Sequence, residues 1–126
     1  MQGMTFTIAV HLHGTLAANA TGNFILPCAA HLVAISASAS NAASSTLEVG
    51  TSADRDGIID ALTVGVSNTP IEWTPTHASW AGALVTAGGS GYKFAKGDIL
   101  AWDLDFDGAA GTAGQNVSIL FTFREG

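Results

Sequence analysis

Residues 94–123 read Phe94-Ala-Lys-Gly-Asp-Ile-Leu-Ala-Trp-Asp-Leu-Asp-Phe-Asp-Gly108, then a Gly/Ala loop, then Gln115-Asn-Val-Ser-Ile-Leu-Phe-Thr-Phe123. Leu100, Trp102, Leu104 and Phe106 alternate with Ala101, Asp103 and Asp105, and Val117, Ile119, Phe121 and Phe123 recur with the same spacing. A period of two sends one set to a core and the other to solvent, so both stretches read as strands. Residues 44–60, Ser-Ser-Thr-Leu-Glu-Val-Gly-Thr-Ser-Ala-Asp-Arg-Asp-Gly-Ile-Ile-Asp, repeat the plan. Each block is a strand running into an Asp-rich turn closed by glycine.

The rest of the chain follows the same logic. Phe6, Ile8, Val10 and Leu12 alternate with Thr5, Thr7, Ala9, His11 and His13, a strand with one buried face. Residues 14–22 are small and polar and read as a loop. Residues 23–28 are apolar but broken by Pro27, which suits an edge or a strand end. Residues 31–40 alternate, with Val33, Ile35, Ala37 and Ala39 on one side and Leu32, Ala34, Ser36 and Ser38 on the other. A turn at 41–45, a strand at 46–50, a loop at 53–57 and a strand at 60–66 come next. Residues 68–81 read as irregular, 88–91 as a Gly-rich connector and 92–94 as a short strand. No stretch longer than ten residues shows capped helical periodicity. About eight strands parted by Gly, Asn, Asp and Ser predict an all-β fold, a β-sandwich or jelly-roll-like single domain over 1–126. The first and last strands are the best patterned, and we expect them to share a core.

Composition excludes several functions. The 126 residues carry four Lys and Arg against ten Asp and Glu, a net charge of −6. That balance argues against nucleic acid, whose phosphates need cationic partners, and against an anionic membrane surface. No apolar run reaches the ~18 residues of a transmembrane helix. The N-terminus lacks the order of a signal peptide, and a single cysteine, Cys28, excludes an intrachain disulfide; both suit synthesis in a reducing cytosol. Only 11% of residues are charged, which leaves a weakly hydrated surface suited to contact with copies or partners.

Candidate sites are few. Asp103, Asp105, Asp107 and Gly108 match the first half of a calcium loop. The twelfth position is Gly114 where a bidentate Glu belongs, so the stretch reads first as a structural turn. Asp54, Asp56 and Asp60 form a second acidic cluster, and a weak calcium site would arise only where the two met. His11 and His13 project from one strand face, a spacing that suits an exposed polar face, an interface, a metal or a ring of histidines about an oligomer axis; His31, His77 or an Asp would have to complete a metal set. Cys28 reads as a small buried hydrophobe. Trp102 belongs to the core. Trp73 and Trp80 sit among prolines, and with His77 they are interface candidates, the other readings being rings that close the open end of the sandwich or stack on sugar. Asp103 and Asp105 would stand roughly 6–7 Å apart, a glycosidase-like spacing on a face that reads as solvated. No hydrolase elbow or phosphate loop is present. We therefore expect no enzyme activity, no cofactor and no metal.

The blocks Leu47-Glu-Val-Gly-Thr51, Asp54-Arg-Asp-Gly57, Phe94-Ala-Lys-Gly-Asp-Ile-Leu100 and Asp105-Phe-Asp-Gly through Phe123 resemble the small capsid decoration (cement) proteins of tailed bacteriophages. The resemblance spans roughly residues 24–124 as a pattern of strands and turns. It implies a β-sandwich or jelly-roll fold and a homotrimer. It further implies a virion protein made in the host cytoplasm, which binds the major capsid protein on the outer surface and reinforces the expanded shell. The turn at 41–45, residues 68–91 and both termini would then be contact candidates. The alternative is a carbohydrate-binding or receptor-binding β-sandwich module that uses Trp73 and Trp80.

Overall fold

The computed structural model describes residues 4–85, 89 and 91–126. Within them lie nine strands: β1 (Thr5–Thr15), β2 (Ala20–Ile25), β3 (Ala30–Ser38), β4 (Thr46–Thr51), β5 (Ile59–Thr63), β6 (Ile71–Trp73), β7 (Tyr92–Phe94), β8 (Ile99–Asp105) and β9 (Gln115–Glu125). One sheet runs β1-β9-β3-β6, with β7 also on β3; the other runs β2-β8-β4-β5. The antiparallel pairs nest, β1 with β9, β2 with β8, β3 with β6 and β4 with β5. A long hairpin folded over on itself in that way is the jelly roll. The all-β sandwich expectation therefore holds, as does the shared core of the first and last strands: Phe6 pairs with Phe123 and Val10 with Ile119.

The core lies between the sheets. Leu32, Ile35, Leu47, Leu100, Phe121 and Phe123 have no exposed surface. Each such side chain contributes about 1.5–3 kcal/mol through burial. Phe123 is the aromatic hub: Phe6 stacks on it at 5.1 Å, while Phe24 and Phe94 meet it edge-on at 6.2 Å. Ser45 is fully buried and satisfied, its hydroxyl donating to the Phe106 carbonyl at 2.7 Å.

Four local expectations need correcting. The loop at 14–22 shrinks to 16–19, because β1 continues to Thr15 past a bulge that Gly14 allows at φ 78° and β2 begins at Ala20. In β3 the pairing steps from Leu32 opposite Phe123 to Ala34 opposite Thr122, so Val33 is an extra residue. That bulge flips the alternation and sends both Leu32 and Ile35 inward, where strict alternation had placed them on opposite sides. Residues 71–73, read as irregular, form β6, which is short but pairs Trp73 with Ile35. Cys28 is half-buried in the turn after β2, outside the core. Gly88 and Ser90 of the proposed connector at 88–91 fall outside the described residues, as do residues 1–3 of the N-terminus.

The two flanks of the sandwich differ. Beyond β5 the chain bridges to the other sheet, with Gly65 donating to Ala37 and Ala39 donating to Gly65, which closes that flank. Trp73, Trp80, Ile58 and Val64 are buried in the core there. The opposite flank, bounded by the edge strands β1 and β2, has no such closure among the described residues.

Candidate functional site

The outer face of the β2-β8-β4-β5 sheet is acidic. Asp103 pairs with Glu48 across β8 and β4, and Asp105 with Thr46. Strand alternation turns these side chains outward while Leu104 and Leu47 go to the core. The loop after β4 folds back tightly here. A Cβ on Gly50 would lie 2.0 Å from the Asp54 carbonyl oxygen, so only glycine fits. The fold-back carries Asp56 beside the sheet, and carboxylate oxygens of Glu48, Asp56 and Asp60 all lie within 4.8 Å of one another.

Arg55 stands at the head of this face. Its Nε donates to Asp103 Oδ2 at 2.8 Å and one terminal nitrogen donates to Oδ1 at 3.0 Å, a bidentate pair. It also donates to Asn23 Oδ1 at 2.8 Å and to the Trp102 carbonyl at 3.0 Å. One guanidinium thus ties the 52–57 loop to β2 and β8. Its hydrogen bond to Asp103 holds it still more firmly protonated. Burial, with the nearby Asp56, Asp60 and Asp103 charges, pushes the Glu48 carboxyl above the ordinary carboxylate range. A hydrogen bond with Asp56 pushes Asp54 the same way. A shallow concavity of about 340 Å³ lies alongside, lined by Asn19, Thr21, Thr46, Glu48, Asp103 and Asp105.

The outer face of the β1-β9-β3-β6 sheet has the opposite character. Cross-strand neighbours His11 and Ser118, then Ala9 and Leu120, then Thr7 and Thr122 are small or uncharged. Ser36 and Ser38 of β3 continue those rows. With Ala9, His11, Ser118 and Leu120 they line a groove of about 320 Å³. Towards the far end of this face Arg124, His31 and Lys93 are aligned by register into one row.

The residues singled out from the sequence distribute as follows. Trp73 is 4% exposed and Trp80 fully buried. Both belong to the core, and neither ring is available to a sugar or a partner; of the readings open above, closure of the sandwich is the one the structure matches. The Trp80 indole N–H has no hydrogen-bond partner among the described residues. His77 is exposed in the turn before Trp80, where its Nδ1 accepts from the Ser79 N–H at 3.1 Å. His11 and His13 are exposed on one strand face with ring centroids 6.3 Å apart, and His11 Nδ1 lies 2.9 Å from the Ser118 hydroxyl. His31 aligns with Arg124 and Thr5, about 20 Å along the strand from His11, and does not join them.

Asp103, Asp105 and Asp107 do not converge on one point. Asp103 is occupied by Arg55, Asp105 accepts from the Asp107 N–H at 3.4 Å, and Asp107 accepts from the Ala109 N–H at 3.1 Å. These are turn-forming bonds of the structural reading. The two acidic segments do meet, but through Arg55, which neutralises Asp103 where a cation would have to sit. Sequence reasoning passed over Arg55 and Glu48. A single Arg flanked by Asp on both sides was the available signal.

Comparison with known protein families finds none whose model matches, and no curated protein matches either. Among solved structures, a chain of the cyanophage Pam1 capsid asymmetric unit aligns with 99% of this chain and 87% of its own length. Its identity is 19% and its TM-score 0.48, a likeness that supports no argument about fold or function. No helix among the described residues is long and apolar enough to cross a membrane.

Proposed function

We propose that this protein is a capsid decoration (cement) protein, a homotrimer that binds the major capsid protein on the outer face of a phage head and reinforces the expanded shell. The observation that carries the reading is the broad outer face of the β1-β9-β3-β6 sheet. Thr7, Ala9, Ser36, Ser118 and Thr122 give it small, uncharged side chains on a rigid β body. The middle rows of that face allow close approach without desolvating charge, with Glu72 beside Ser36 and the Arg124–Lys93 row at its margins. The sequence resemblance to decoration proteins supports the same role. Shell reinforcement needs many shallow contacts repeated across a lattice, where avidity supplies what each contact lacks. It requires no catalytic step, cofactor, nucleic acid or membrane.

The test is co-sedimentation of the purified protein with empty heads of the phage that encodes it, before and after expansion. Saturable binding to expanded heads, together with a higher temperature of head disruption, is the expected result. Absence of binding to either form would sink the reading. The carbohydrate-binding or receptor-binding alternative keeps one observation, the polar concavity beside Glu48, Asp103 and Asp105. Its lining contains no aromatic ring for a sugar to stack on, and glycan-array binding lost on Asp105→Ala would favour it.

A further inference from the structure

The flank between β1 and β2 is left open. Both are edge strands. They share a flank because Phe6 of β1 and Phe24 of β2 meet the same Phe123 ring. Inward-facing Val117, Ile119, Phe121 and Phe123 of β9 are at most 1% exposed, yet no residue of β1 is buried. Phe6, Ile8, Val10, Leu12, Ala20 and Phe24 remain only partly covered, a seam of apolar side chains along the molecule.

We propose that a second copy of this chain covers this flank. Charge selects that occupant. Residues 1–47 contain no Asp, Glu, Lys or Arg, so β1, β2 and the loop between them carry no formal charge. Bodies of net charge −6 repel one another where acidic faces approach. Here two copies meet with no charge opposed, and each presents the apolar surface the other lacks.

The backbone selects the same occupant. Edge strands are normally blunted by charge or proline, and the 11 residues of β1 have neither. Its bulge is confined to the end at 12–15. About five N–H and five C=O groups therefore face outward unpaired, a template for another strand of the same kind. The strip is about 37 Å long and about 10 Å deep, the size of the largest apolar patch on a typical monomer, ~300–600 Å², which is often functional. Met4, 57% exposed and two residues before Phe6, extends it. The proposal deepens the self-association part of the reading above and is independent of its capsid part.

Light scattering over a wide concentration range tests it. The wild-type mass is expected at a multiple of 12.8 kDa. Ile8→Lys places an ammonium in the seam and should return the mass to one chain. Because that change could also unfold the protein, Met4→Lys adds charge in the seam at a residue outside the core. It should weaken association with the circular dichroism spectrum and melting temperature unchanged. Leu120→Lys, on the outer face of the β1-β9-β3-β6 sheet and away from the seam, should leave the mass alone. A single-chain wild type at every concentration overturns the proposal. A multimer that survives both Ile8→Lys and Met4→Lys also overturns it, while leaving self-association itself standing. Head co-sedimentation decides the capsid reading separately.

Discussion

Gly22 and Trp102 face each other across β2 and β8, and the indole lies where a side chain on Gly22 would go: an added Cβ would sit 2.5 Å from the ring. Trp102 is 5% exposed because that glycine leaves it room. The pair shows how an edge strand can be thin enough for its neighbour to cover it.

Gly22→Ala should therefore destabilise the fold by about 1–3 kcal/mol through overpacking. Urea denaturation would measure it. A double mutant with Trp102→Leu should recover part of the loss, since the clash is pairwise; strictly additive costs would contradict the contact.

Trp80 carries a buried N–H with no partner among the described residues. Trp80→Phe removes that donor, which offsets much of the lost volume, and should fall within about 1 kcal/mol of wild type. Trp80→Ala should cost about 3–5 kcal/mol, as should Trp73→Ala. Equal costs for the Phe and Ala changes at position 80 would mean that the N–H is satisfied after all.

Arg55 is the tie between a loop and two strands. Arg55→Ala should cost about 1–3 kcal/mol, since charge-assisted bonds to a partner only 25% exposed are lost. Arg55→Lys should recover little, because an ammonium cannot reproduce the bidentate geometry. Full rescue by Lys in chemical denaturation would reduce Arg55 to a charge.

Glu48 sets a pH dependence. Its folded-state pKa is raised by burial and by neighbouring carboxylates, so the native state holds the proton more tightly than the unfolded chain. The associated stability is fully present below the ordinary carboxylate range and is lost as pH rises through the raised value. Asp54 acts with the same sign. The stability difference between Glu48→Gln and wild type should thus be largest near neutral pH, in favour of the variant, and shrink as pH falls through that window. Melting temperatures across pH would show it; a difference that grows on acidification would contradict the assignment.

Cys28 should be a slow thiol. Burial and then the Glu125 carboxylate push its pKa up, which keeps the thiolate scarce at neutral pH. Glu125→Gln should speed its reaction with a disulfide reagent at fixed pH, and no change would remove Glu125 as a cause.

Much of this was readable along the chain. Period-two alternation in β1, β8 and β9 is a local property of sequence and survives folding, so their inward faces, Trp102 among them, follow from residue order alone. The acidic turns, the net acidic charge balance and the all-β class are equally local. Other features depend on what lies across a gap. One residue too many in β3, Val33, reverses the faces of Leu32 and Ile35, and only the register against β9 reveals it. Burial of Trp73 and Trp80 depends on the closed flank folding over them. Arg55 becomes a hub because Asp103, Asn23 and the Trp102 carbonyl come together from two strands. The sequence by itself determined most of the strands, the faces of β1, β8 and β9 and the sign of the net charge, because those follow from alternation and composition. Tertiary structure alone decided which edges stay open and which charges meet, because both depend on long-range pairing between residues far apart in the chain.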